Sequence, residues 1–80
     1  MAQGFAKVIE KDFAIQIDEV EGKITYVGKA ISGSATSASV WQICKIDESG
    51  TNGVELIITW AEGNKNFNKI WDNRTTYSYS

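Results

Sequence analysis

Eighty residues with a net charge of -2, one cysteine, Cys44, and no histidine allow one domain and exclude the two staples small folds most often use, an intrachain disulfide and a Cys/His zinc set. The acidic and basic residues are interspersed, so the chain lacks the electrostatic footprint of a nucleic-acid binder, and no segment approaches the ~20 apolar residues of a membrane span. Neither a nucleic acid nor a membrane is expected as a partner. Met1 to Lys7 lacks the basic stretch and apolar run of a signal peptide, which points to synthesis in a cytoplasm.

Phe13, Ile15 and Ile17 alternate with Ala14, Gln16 and Asp18, the period-two pattern of a half-buried strand, with Lys11-Asp12 as a bend before it. Asp18 to Gly22 has the length of a hairpin connection, and Lys23 to Ile31 reads as the second strand, with Gly28 marking a bulge or a close approach of two backbones. Residues 32–39 contain only Ser, Gly, Ala and Thr, a composition too small and polar for a core, and are expected to form an internal loop. Val40 to Ile46 then carries bulk on both faces, Val40, Cys44 and Ile46 on one and Trp41 and Ile43 on the other, as a central or interfacial strand does.

Asp47 to Gly53 supplies turn residues, after which Val54, Leu56, Ile58 and Trp60 alternate with Glu55, Ile57 and Thr59. From Asn64 the period changes: Phe67, Ile70 and Trp71 at i, i+3 and i+4 predict one short helical turn near residues 66–71, begun by an Asn cap. Thr75 to Tyr79 alternates hydroxyl and aromatic residues as a terminal edge strand does. The whole reads as all-β, a small antiparallel sandwich or barrel of about five strands forming a single domain over residues 1–80. Ile15, Ile17, Val40, Ile43, Leu56, Ile58 and Trp60 are expected in its core.

The side chains that carry most chemistry are scarce, and no enzyme is expected. The usual general base, histidine, is missing, no Gly-rich phosphate loop precedes a helix, and the carboxylates of Asp18-Glu19-Glu21 and Asp47-Glu48 read as solvated turn faces. Glu62, Asn64, Asn66 and Asn68 stand at every second position, like one half of a calcium loop, yet a single one is charged and Asn is equally at home in turns. Whether they hold an ion stays open at this level, and no metal or cofactor is assigned. Cys44, between Ile43 and Lys45, reads as a small buried hydrophobe.

Three tryptophans are many for this length. Trp41 and Trp60, on strands, read as core. Trp71 stands beside Asp72, Asn73 and Arg74, a set that suits a protein interface, stacking on a sugar ring, or plain packing. Trp71, Asp72, Arg74, Tyr77 and Tyr79 are therefore the candidate interface.

Tyr26-Val27-Gly28-Lys29-Ala30, Gly33 to Ser37, Val40-Trp41-Gln42-Ile43 with Lys45-Ile46, and Trp60-Ala61-Glu62-Gly63 followed by Phe67-Asn68-Lys69-Ile70-Trp71-Asp72-Asn73-Arg74 together resemble a group of small proteins encoded by tailed bacteriophages, often among virion structural genes. The resemblance covers residues 26–80, and its most specific part is the aromatic-to-Arg segment. It implies an accessory component of the particle, such as a capsid decoration protein, a head-tail connector or a fibre or baseplate attachment module. The expected partners are phage structural proteins, copies of the same chain, or both, in a homo-oligomer or symmetric assembly, and the expected location is the virion. Lys65 and Asn68 stand where the resemblance expects more acidic residues, and Cys44 where it expects a polar or basic one. Two other readings remain open: a module that uses Trp71, Arg74, Tyr77 and Tyr79 to hold a host glycan or receptor, and a phage inhibitor that sequesters a host defence factor.

Overall fold

The computed structural model describes residues 12–49 and 56–80. Strands β1 (Phe13–Val20), β2 (Ile24–Ile31), β3 (Ser39–Asp47), β4 (Ile57–Trp60) and β5 (Lys69–Ile70) follow in order, and a 3-10 turn, Trp71–Asn73, succeeds β5. All pairings are antiparallel, in one sheet of order β1-β2-β3-β4 with β5 on the early part of β3. The all-β class and the number of strands are those read from the sequence, but the fifth strand is Lys69–Ile70 and not the terminal strand expected over Thr75 to Tyr79. The sheet is open, so among the described residues its second layer is neither another sheet nor a barrel wall. β3 is the central strand its two bulky faces predict, pairing with β2, β4 and β5.

The first hairpin turns within Glu21-Gly22-Lys23, with Gly22 at φ 86° and Lys23 at φ 65°. This is tighter than the expected Asp18 to Gly22 connection because Asp18, Glu19 and Val20 stay paired with Tyr26, Thr25 and Ile24. Directly opposed residues in a sheet share a face. Ala14 opposes Ala30, Gln16 opposes Gly28, and Gly28 opposes Ile43, and this is the face that is covered. Ala30, Trp41, Ile43, Ala61 and Trp71 form the buried core, with Ala14, Tyr26, Tyr77 and Tyr79 packed against it. Phe13, Ile15 and Ile17 lie on the other face with Ile31, Val27, Cys44 and Ile58.

The expected core is corrected accordingly. Ile43 is fully buried and Trp60 half-buried, but Ile15, Ile17, Val40, Leu56 and Ile58 are exposed. Alternation states which side chains share a face; it does not state which face acquires a cover. Here the cover is the segment after β5, whose bulky rings fill the space above the small residues Ala14, Gly28, Ala30 and Ala61. Large rings over small side chains reach native packing density, whereas rings over isoleucines would hold the layers apart. Gly28 shows the tolerance: a Cβ built there would lie 2.5 Å from Cε3 of Trp71 and 3.2 Å from Cε3 of Trp41. The close approach expected at this glycine is thus made by indole rings.

The helical turn expected near residues 66–71 lies later in the chain. Lys69 and Ile70 are extended, opposite Trp41 and Ser39 of β3, and the 3-10 turn occupies Trp71–Asn73. Pairing with β3 satisfies backbone groups that an isolated helical turn holds only weakly. Phe67, Ile70 and Trp71 do not share a buried stripe: Phe67 is exposed, Ile70 half-buried and Trp71 buried. The chain end pairs with the last residue of β4 and the residues just after it. Trp60 N donates to Ser80 O at 3.1 Å, Ser80 N to Trp60 O at 3.2 Å, and Glu62 N to Ser78 O at 2.7 Å. The terminal strand expected over Thr75 to Tyr79 is reduced to a bridge between Ala61 and Tyr79. The Ser/Gly/Ala/Thr loop is tied to β3 and to the cover, as Trp41 Nε1 donates to Ala35 O (2.9 Å) and Asp72 N donates to Thr36 O (3.1 Å). The readings made for Met1 to Lys7, Lys11 and residues 50–55 fall outside the described residues.

Candidate functional site

The residues expected to form an interface form the cover of the sheet instead. Trp71 is 5% exposed, with its ring on Gly28 and tilted against Trp41 at a centroid distance of 6.1 Å. The Arg74 guanidinium lies 4.7 Å from the Trp71 ring centroid, donates from Nε to Asp18 Oδ2 at 2.9 Å and from Nη1 to Trp71 O at 3.1 Å. It therefore clamps the cover to β1. Tyr77 Oη accepts a hydrogen bond from Ile70 N (2.8 Å), and Tyr79 Oη donates to Arg74 O (2.6 Å) while its ring lies 5.7 Å from that of Tyr26. Burial, with Tyr26 and Tyr77 nearby, pushes the Tyr79 hydroxyl well above the ordinary tyrosine range despite the opposing charge of Arg74. Of the candidate set, Asp72 alone stands exposed. The interface assigned to Trp71 is corrected: its indole is spent on intrachain packing.

The oxygen-rich run Glu62, Asn64, Asn66, Asn68 does converge on a cation, and the cation is the chain's own Lys69. Its ammonium, on a residue 1% exposed, donates to Asn64 Oδ1 at 2.7 Å and to Asn68 Oδ1 at 2.5 Å, with Glu62 Oε1 at 4.0 Å. Asn66 N donates to Asn64 Oδ1 at 3.1 Å, the local bond of an Asn turn. Three of the four expected oxygen ligands thus surround a buried lysine, as a buried charge requires. Sequence inspection misses Lys69, although its place directly after the last of those oxygens is a signal: the turn that holds them leads straight into β5, which begins at Lys69. Among the described residues, no three His, Cys, Asp or Glu side chains gather to hold a metal. The two carboxylate clusters are also dispersed, with Asp18 on Arg74 and Asp47 Oδ1 accepting from Ser49 N at 2.8 Å. The hydrogen bonds from Ser49 hold the Asp47 carboxyl below the usual aspartate range.

What the sequence reading left out as a surface is the other face of the sheet. Ile15, Ile17, Ile31 and Ile58 are 54%, 64%, 68% and 50% exposed. At one end of this face Phe13, Ile31, Val40 and Phe67, with Ser34, line a shallow cavity of about 550 Å³. Lys29 Nζ lies 4.3 Å from the Phe13 ring centroid, and Lys65 Nζ lies 5.2 Å from that of Trp60, so both ammoniums rest on aromatic faces. Cys44 sits half-buried in the middle of the face, and burial raises its thiol above the ordinary cysteine value. The period-two pattern of β1 contained this surface, but it was read as the interior.

No family model matches the chain, and no curated protein or solved structure matches it.

Proposed function

We propose that this chain is an assembly protein, an accessory structural component of a tailed-phage particle, whose work is done by protein-protein contact. The observation that carries the reading is an apolar sheet face that nothing covers among the described residues: Phe13, Ile15, Ile17, Ile31 and Ile58 are all exposed on one side of a sheet whose other side carries the rings of Trp71, Tyr77 and Tyr79 over its centre. Monomeric proteins seldom leave so continuous an apolar patch in water unless it binds something. The resemblance of residues 26–80 to small phage virion proteins supplies the setting, and several of the residues that carry it, Gly28, Trp41, Lys69, Trp71 and Arg74, are the ones that hold the cover in place. On this reading the shared segment preserves a scaffold that displays the open face.

The glycan-module alternative loses its aromatic platform, because the Trp71 ring lies between Gly28 and Arg74 and offers no free face to a sugar. Quantitative mass spectrometry of purified particles tests the proposal. The expected result is many copies per particle, and absence from particles that are otherwise complete would overturn it in favour of a host-directed role.

A further inference from the structure

The open face is built so that it complements itself. Three rows run across its strands: Ile15, Lys29 and Gln42; then Ile17, Val27, Cys44 and Trp60; then Glu19, Thr25, Ile46 and Ile58. Within the strands this face carries one cation, Lys29, and one anion, Glu19, and they stand in the rows on either side of the middle one. We infer that a second copy of this chain covers the face, the two sheets stacking about a two-fold axis that runs between them along the middle row. This inference rests on the assembly reading above and names the occupant.

The rotation reverses the strands, so the Lys29 row of each copy lies over the Glu19 row of the other, and the middle row lies over itself. Both copies make both contacts, as an isologous interface requires. A face that carried its cation and anion in the middle row would set like over like under the same rotation. The area is also adequate. Four isoleucines exposed by half or more, with Phe13 and Val40 beside them, present apolar surface on the order of the ~800 Å² per partner buried in a standard specific interface. The product is a two-sheet sandwich, the architecture that the alternating isoleucines promise and the described residues of one chain do not complete. Trp60, under the Lys65 ammonium, lies at the rim of this seam.

One geometric consequence is sharp. Cys44 belongs to the middle row, so each thiol faces the partner copy's Cys44 across stacked sheets ~10 Å apart, too far for a disulfide and within reach of a short two-carbon bismaleimide. Sedimentation equilibrium of the full chain should give a concentration-dependent species of twice 8.8 kDa, and the bismaleimide should yield a covalent dimer at mildly alkaline pH. Ile17→Glu, and independently Ile58→Glu, should shift the mass to the single-chain value and abolish the crosslink while leaving the circular dichroism spectrum unchanged. Lys29→Glu should weaken association at least tenfold, and Lys29→Glu combined with Glu19→Lys should restore it, because like charges facing across an interface are strongly penalised. A chain that is monomeric at every concentration, or a dimer that survives both glutamate substitutions or leaves Cys44 uncrosslinked, overturns the inference. A monomer that is nonetheless abundant in particles would refute this seam and keep the assembly reading, whereas a dimer absent from particles would do the reverse.

Discussion

The two faces of one sheet are composed in opposite ways. Under the cover, the face that carries Ala14, Gln16, Gly28 and Ala30 on β1 and β2 has almost no bulk of its own and is largely dry, while Val20 at its far end is exposed; the face that carries Phe13, Ile15, Ile17 and Ile31 has plenty, and it is wet. The difference lies in what each face is offered. Small side chains accept the rings of Trp71, Tyr77 and Tyr79 at close range, and those rings arrive on a segment already tied to β3 through β5 and to β1 through Arg74. The isoleucine face receives no such segment among the described residues. Burial within one chain therefore follows the fit between a surface and the cover available to it, more than the hydrophobicity of the surface alone.

Substitutions can break this contrast, and the largest effect is expected where cover meets sheet. Trp71→Ala should cost about 3–5 kcal/mol, on the order of the whole stability of so small a domain, and should leave the chain largely unfolded by urea titration or near-ultraviolet circular dichroism. Lys69→Met follows. It removes the ammonium that Asn64 and Asn68 face and leaves the half-buried Asn64 oxygen unpaired, Asn68 being exposed, for a loss of about 1–3 kcal/mol; an unchanged midpoint would mean that both side-chain oxygens are solvated and the lysine incidental.

Gly28→Ala should cost about 1–3 kcal/mol by overpacking, because the new methyl enters the space of Trp71 Cε3. Its penalty should shrink when Trp71 is already leucine, and a double-mutant cycle measures that coupling. Full additivity would show that the glycine matters for a reason other than the indole.

On the other face the expected effects on the folded single chain are small. Leu56→Ala and Ile17→Ser should each change unfolding free energy by less than about half a kcal/mol at concentrations too low for association, since both side chains are more than half exposed. A loss above about 2 kcal/mol at either would place a cover over the open face within the chain itself. The smallest effect concerns pH. Tyr79 holds its proton more tightly folded than unfolded, so its contribution to stability is complete below its ordinary value of 10 and is lost as pH rises beyond that point. Tyr79→Phe should flatten the alkaline limb of a stability-pH profile relative to wild type, measured in a Cys44→Ser background because the Cys44 thiol is shifted in the same direction.

The candidate site was legible only in part, and the misreadings have a common cause. Trp71 and Arg74 were visible as an unusual pair, but whether an indole packs inward or outward depends on what lies beneath it, and Gly28 is more than forty positions away in the chain. Glu62, Asn64, Asn66 and Asn68 were visible as converging oxygens, and the turn they make was the favoured structure, yet the cation they enclose became apparent only when β5 folded back along β3. The short helical turn was placed from a spacing that extended pairing of Lys69 and Ile70 with β3 overrode.

By itself the sequence determined β1 to β4, the central place of β3, the turn at Gly22 and which side chains of these strands share a face, because these depend on neighbours a few residues apart and on the fixed two-residue period of a strand. Only the tertiary structure decided which face of the sheet is interior, since that depends on whether distant rings fit over Ala14, Gly28, Ala30 and Ala61. The same contact decided that the aromatic-to-Arg segment is structural cover, and left the isoleucine face outward.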